Sequence, residues 1–346
     1  MPSFFAAFLI SFLVVIVTTP IINRYGRRIG LVDQPNHRKV HQRPMVRLGG
    51  VAMFIGVVMA MLVAWGMGGF DFLRPGKESE VLGVAIGGIA FFLIGLADDL
   101  FNLSPKTRLI LQVVVSGLVW QSGVQIDFLT NPLAGLGLSA LPEWASLAIT
   151  VVWLVGMANA INWIDGLDGL AAGVSGIAAF VMFWTCLFMG QPHAALFAAA
   201  LAGAAFGFLR YNFNPAQIFM GDGGAYFIGF TLAAVSVIGL VKSVTTVAVL
   251  LPYVILAVPI LDMSAVILDR LRRGKSPFVA DKRHLHHRLL KAGLSQRLAV
   301  LFIYSLTLWA GSLAMAVSGM PSGVGYAIAA TVILSVTSWQ VWRTAR

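Results

Sequence analysis

Long apolar runs alternate with short polar segments along the whole chain. The runs are centred near residues 3–22, 46–67, 81–97, 108–122, 145–161, 169–189, 193–209, 223–240, 244–268, 298–318 and 322–342. A helix needs about 20 apolar residues to cross about 30 Å of hydrocarbon. The pattern predicts an all-α, polytopic membrane helix bundle of about eleven transmembrane helices, forming a single integral membrane domain over residues 1–346. The run at 108–122 is short. The run at 244–268 is long and holds Pro252 and Pro259, which carry no amide donor, so it is expected to kink or break. The run from Phe4 to Ile22 is too long for a signal-peptide core and no Lys or Arg precedes it, so it reads as a retained first span.

Composition supports lipid as the solvent: 58% of residues are hydrophobic and 11% charged, against about 25% charged in soluble domains. A net charge of +10 would suggest nucleic acid if taken alone. The positions of the charges argue otherwise. With the N-terminus outside and spans alternating, 21 of the 24 basic residues fall on the inner side, and only Arg74, Lys77 and Lys242 fall outside. That asymmetry is the positive-inside pattern. It orients the C-terminus to the cytoplasm and removes the need for a nucleic-acid partner. The single cysteine, Cys186, excludes an internal disulfide and a multi-cysteine metal site.

Nine acidic residues (Asp33, Asp98, Asp99, Asp165, Asp168, Asp222, Asp262, Asp269 and Asp281) and five of the six histidines sit on or near the same inner side. A transporter should carry polar groups at the bilayer midplane. A lipid-binding scaffold has no need of several acid- and amide-rich motifs on one face. An enzyme working at the inner surface fits better, with its site built from loops near 23–47, 98–108, 159–169, 210–224 and 269–297.

Four segments carry chemistry. Asp98-Asp99 closes an apolar run, followed by Lys106 and Arg108. Adjacent carboxylates at a helix end repel each other and the helix dipole unless a cation or a shared proton relieves them. Asn159, Asn162, Asp165 and Asp168 recur every three residues, a spacing that would set neighbouring members on one drifting helix face. Two amides and two acids between spans are costly if left unpaired. Asn212-Phe213-Asn214-Pro215 leads into Phe219-Met220-Gly221-Asp222-Gly223-Gly224, a glycine-flanked Asp before a helix start, suited to metal or phosphate. The last segment runs from Arg270 to Arg288 and holds Ser276-Pro277-Phe278 and His284-Leu285-His286-His287. Its dense positive charge suits a pyrophosphate better than a zinc ion. The residues alone thus point to metal-dependent phosphoryl chemistry at the inner membrane face.

These motifs, in this order, resemble the polyprenyl-phosphate N-acetylhexosamine-1-phosphate transferase superfamily, over nearly the whole chain from Asp33 to His287. His284-Leu285-His286-His287 is similar to the histidine motif of the GlcNAc-1-phosphate branch, whereas the muramyl branch has three consecutive histidines. Ala225 and Val46 stand where many members have Ser and Pro.

The resemblance implies attack of a polyprenyl phosphate on the β-phosphorus of a UDP-sugar, with UMP leaving, at a multi-pass protein of the inner membrane. The expected sugar is GlcNAc, with UDP-MurNAc-pentapeptide and UDP-N-acetylfucosamine as alternatives. It implies Mg²⁺, with Mn²⁺ as the alternative ion, held by Asp222 and Asn162. Asp98, Asp99, His284 and His287 are the implied catalytic residues, one Asp being a candidate base. Asp168 and Phe219 would hold the uracil. Arg108, Arg270 and His286 would contact phosphates or sugar, and Asn159, Asp165 and Lys39 complete the substrate-binding set. A homodimer is an open alternative.

Overall fold

The computed structural model describes residues 2–34, 44–71, 73, 76–131, 137–241, 246–274 and 283–344. In chain order the elements are α1 (Pro2–Arg28), β1 (Val32–Asp33), β2 (Met45–Val46), α2 (Gly49–Gly66), α3 (Glu78–Phe101), α4 (Pro105–Gln121), β3 (Phe128–Asn131) and β4 (Gly137–Ala140). They continue with α5 (Glu143–Ile164), α6 (Leu170–Phe188), α7 (Pro192–Asn212), α8 (Gly221–Ser236), α9 (Thr246–Ile255), α10 (Ala257–Arg272), α11 (Leu285–Lys291), α12 (Gln296–Val317) and α13 (Gly323–Thr344). The molecule is nearly all helical, as its apolar runs predict. Among the described residues the exceptions are two antiparallel pairs, β1 with β2 and β3 with β4.

Among the described residues nine helices are long and apolar enough to cross a membrane: α1, α2, α3, α5, α6, α7, α8 with the π-helical turn that extends it, α12 and α13. The two remaining expected spans take other forms. The run at 108–122 is α4, of 17 residues. The run at 244–268 is broken into α9 and α10. The break lies at Leu256, four residues after Pro252, and Pro259 sits inside the first turn of α10, where its missing N–H costs nothing.

Sequence punctuation sets several boundaries. Ser104 caps α4 by accepting the Thr107 N–H at 3.1 Å, with Pro105 in first position. Asn102 ends α3 in the left-handed conformation (φ 51°), which Asn tolerates. Ser295 caps α12 through the Leu298 N–H.

The core is centred on α8. Its membrane-length stretch is wholly buried, whereas that of α13 is 6% buried. α2, α3, α5 and α7 surround α8. A helix apolar all round belongs in such a position. Aromatic rings lock the layer: Phe54 of α2 stacks on Phe92 of α3 at 4.1 Å, and Phe91 of α3 stacks on Phe230 of α8 at 4.5 Å. This packing brings the C-terminal ends of α3 and α5 and the N-terminal ends of α2, α4 and α8 to one end of the bundle.

Candidate active site

The site begins with the way the chain enters α8. Gly221 has φ 76°, and a side chain there would collide with the Arg47 carbonyl oxygen and a carboxylate oxygen of Asp99. Only glycine fits both the conformation and the space. The two N–H groups that follow need acceptors, because a helix start leaves its first amides unpaired and Met220 offers no side-chain cap. Asp99 supplies them across 123 residues of sequence. Its Oδ1 accepts the Asp222 N–H at 3.0 Å and its Oδ2 accepts the Gly223 N–H at 2.9 Å. The acid pair that is unfavourable at the end of α3 thus faces the positive end of α8. Alongside, the N–H groups of Gly49 and Gly50 donate to the carbonyls of Phe219 and Met220, at 2.9 and 2.7 Å, placing α2 directly against this turn.

Asp222 then gathers three partners. Its Oδ1 accepts from Asn162 Nδ2 at 2.9 Å and from Arg47 Nη2 at 3.3 Å, and its Oδ2 from Arg108 Nη1 at 3.3 Å. The same Arg108 nitrogen pairs with Asp98 Oδ2. Arg47 also lies 3.6 Å from Asp99. Asp165, the residue that ends α5, has its carboxyl pushed up to about 7, first by burial and then by the charge of Asp222. Three carboxyl groups (Asp98, Asp99 and Asp222) thus share two guanidiniums, with the carboxyl of Asp165 close enough to feel Asp222. All the acceptors are carboxylate or amide oxygens, and the amide oxygen of Asn162 becomes a ligand by a simple flip. That donor set fits a hard divalent cation such as Mg²⁺. Among the described residues no three His, Cys, Asp or Glu side chains already surround one point as a metal would require; guanidinium groups bridge the carboxylates instead.

The four residues spaced by three do not share one helical face. α5 ends at Ile164, so Asp165 is its cap and Asp168 lies in the turn that follows; Gly166 and Gly169 end the helix where the spacing alone would extend it. Asp168 braces a neighbouring loop: its Oδ2 accepts the Asn214 side-chain amide and the Ala216 N–H, each at 3.0 Å. Asn212 ties the same regions, accepting the Gly169 N–H at 3.1 Å and donating to the Ile218 carbonyl at 2.9 Å. Phe219 is partly buried, and its backbone N–H donates to the Val46 carbonyl at 2.9 Å. Asn159 lies outside the carboxylate cluster. Its amide donates to Gln112 Oε1 at 2.7 Å and to the Val155 carbonyl at 2.8 Å, joining α5 to α4.

The histidine segment forms a second layer against α5 and α10. His284 is buried and its Nδ1 meets Asp262 Oδ2 at 2.8 Å. The His286 ring stacks on that of His284 (5.7 Å) and lies 4.3 Å from that of His287. Burial holds the His286 imidazole down at about 3, with His287 and His284 adding to the effect, so it is neutral. A side chain on Gly166 would collide with His286, which shows that the segment seats on the turn after α5. Arg270 is buried with its guanidinium 5.2 Å from the Trp163 ring centroid. These residues reach the carboxylate cluster through Trp163 and Gly166, which neighbour Asn162 and Asp165 in sequence. Lys39 and the stretch 275–282 lie outside the described residues.

Two residues of the site escaped the sequence reading. Arg47 was one of seven basic residues in its loop, with no signal to separate it except its place just before the Gly49-Gly50 helix start. Asp262 was a single acid inside an apolar run, and that isolation was the available clue.

Residues 81–240 match the model of glycosyl transferase family 4. A Bacillus subtilis (strain 168) protein described as a probable undecaprenyl-phosphate N-acetylglucosaminyl 1-phosphate transferase is 37% identical over 96% of this chain and 86% of its own length. The chain belongs to the polyprenyl-phosphate N-acetylhexosamine-1-phosphate transferases. Other members of this family similar to it are the Mycobacterium tuberculosis (strain ATCC 25618 / H37Rv) decaprenyl-phosphate N-acetylglucosaminephosphotransferase, 34% identical over 85% of this chain and 76% of its own, and the Escherichia coli (strain K12) undecaprenyl-phosphate alpha-N-acetylglucosaminyl 1-phosphate transferase, 30% identical over 81% and 74%. The matched transferase region holds Asp98, Asp99, Arg108, Asn162, Asp165 and Asp222. Arg47 and the histidine segment lie beyond it.

Proposed function

We propose that this membrane enzyme transfers GlcNAc-1-phosphate from UDP-GlcNAc to a polyprenyl phosphate. An oxygen of the lipid phosphate forms a bond to the β-phosphorus, the bond from that phosphorus to the UMP oxygen breaks, and UMP leaves with the electron pair. The products are UMP and a polyprenyl-diphospho-GlcNAc. The observation that carries this reading is the meeting of Asp98, Arg108, Asn162 and Asp222 in one cluster, in a chain of this family whose relatives are named for that transfer.

The roles follow from the contacts. Asp222 and Asn162 would hold Mg²⁺, which when bound supplies positive charge to the pyrophosphate and to the leaving UMP. Arg108 and Arg47 are positioned to offset charge on phosphate oxygens as they enter the cluster. Asp99 has both oxygens committed to α8, so it holds Asp222 in place rather than moving a proton. A phosphate monoester has a second pKa of about 6, so the lipid phosphate is largely a dianion at neutral pH and needs no strong base. Asp98, paired with Arg108, keeps that guanidinium oriented. Trp163, Arg270 and the histidine layer form the wall on which the sugar diphosphate would rest.

The same reading places the N-terminus outside and the C-terminus in the cytoplasm, with α4 and the α9–α10 pair completing eleven crossings. Its support is the gathering of basic residues on one side. The reading implies an Asp222→Ala protein that is folded but loses Mg²⁺-dependent UMP release, because a hard oxygen ligand is gone. Substantial Mg²⁺-dependent turnover in that variant would reduce Asp222 to a turn residue and refute the assignment.

A further inference from the structure

Asp262 is a buried carboxylate to which no role has yet been given. It stands on α10 with 8% of its surface exposed. Both of its oxygens are committed to the histidine segment. Oδ1 accepts the Leu285 N–H at 2.6 Å and Oδ2 lies 2.8 Å from His284 Nδ1. The first bond caps α11, whose own leading residue, His284, makes no capping bond with its side chain. The second has a chemical consequence. A carboxylate is an acceptor, so the proton between the two groups belongs on His284 Nδ1. In a neutral imidazole that leaves Nε2 as the acceptor, and in the charged ring Nε2 becomes a donor. Among the described residues Nε2 of His284 has no hydrogen-bond partner. The ring is held in place on other sides by Trp163, whose ring lies 6.1 Å away at 70°, and by His286, stacked at 5.7 Å.

We propose that Asp262 is a positioning residue that fixes the tautomer and orientation of His284, so that Nε2 is the nitrogen presented to the substrate. The mechanism of fixing is the one by which a second hydrogen bond orients a functional imidazole. The proposal rests on the transferase reading for what His284 faces, but the tautomer itself does not.

The test separates the two. Protein labelled with ¹⁵N in its histidine rings is placed in lipid nanodiscs at about pH 8, and the His284 signals are assigned by their loss in His284→Gln. The wild type is expected to show a protonated Nδ1 and an unprotonated Nε2. Asp262→Asn can keep the Leu285 N–H bond through its amide oxygen and turn its NH₂ toward Nδ1. The tautomer should then reverse, with kcat for UMP release falling on the order of 10²-fold and KM for UDP-GlcNAc staying within about threefold. A wild-type ring protonated at Nε2 overturns the proposal without recourse to any variant. So does a reversed tautomer with unchanged kcat. A wild type that shows the expected tautomer but releases no UMP from any UDP-sugar would refute the transferase reading while leaving the Asp262–His284 pairing intact.

Discussion

The clearest consequence of the geometry concerns Asp99. As one of two adjacent carboxylates beside the proposed phosphoryl-transfer cluster, it invites the role of a base. The structure instead commits both of its oxygens to amides of α8, at 3.0 and 2.9 Å, in a position where its side chain is 3% exposed. Hydrogen bonds to a charged group contribute about 1.5–3 kcal/mol each. In Asp99→Asn one acceptor survives, but the NH₂ must face an N–H donor, so the loss should be about 3 kcal/mol. Apparent melting in detergent, followed by loss of monodispersity, should drop on the order of 5 °C. The Asp222 amide is one of the two bonded groups, so the carboxylate that would hold the cation shifts with it. A misplacement of about 1 Å costs on the order of 10²-fold in rate. Because positioning rather than proton transfer is lost, raising the pH to 9 should not restore turnover. An Asp99→Asn enzyme that melts like the wild type and regains turnover as pH rises would show that Asp99 is a base, and the capping argument would fail.

Other outcomes follow from the same contacts. Gly221→Ala should lose more than about 10²-fold in turnover, since it combines a strained backbone of about 1–3 kcal/mol with a collision against Arg47 and Asp99; near-normal activity would show that the entry to α8 is looser than described. Asp165 sits near 7 without a cation. A divalent cation favours its charged form, so Mg²⁺ binding at pH 6 should release a proton and the affinity should rise with pH until about 7. Calorimetry in two buffers of different ionisation enthalpy reads this directly, and equal heats at pH 6 would contradict it. For topology, cysteines placed at Ser79 and Ala292, over a native Cys186 that is buried, should react with an impermeant label from opposite sides of the membrane. Labelling of both from one side would sink the proposed orientation.

Much of the site was legible because the chain is so apolar. Asp98, Asp99, Asn162 and Asp222 could not be buried singly among membrane helices at tolerable cost, so their convergence was implied by their presence on one side. Helix positions were legible for the same reason. What the sequence hid were relationships decided by packing. The cap that Asp99 gives α8 joins residues 123 positions apart. The end of α5 at Ile164 turned a regular three-residue spacing into a cap and a turn. Asn159 looked equivalent to Asn162, yet one helical turn moves it from the carboxylate cluster into the α4–α5 interface. Arg47 was hidden among neighbours of identical charge, and only the approach of α2 to α8 singles it out. The break near Pro252 was expected, but its placement at Leu256 depends on how α9 and α10 pack.

The central claim is that this cluster transfers a sugar phosphate to a lipid phosphate. The most direct measurement incubates the purified protein with Mg²⁺, undecaprenyl phosphate and a panel of UDP-sugars, following UMP release and the lipid product together. UDP-GlcNAc should yield UMP and polyprenyl-diphospho-GlcNAc in equal amounts, and only when the lipid phosphate is present. Release of UMP from UDP-MurNAc-pentapeptide alone, or from no UDP-sugar at all, would contradict the account.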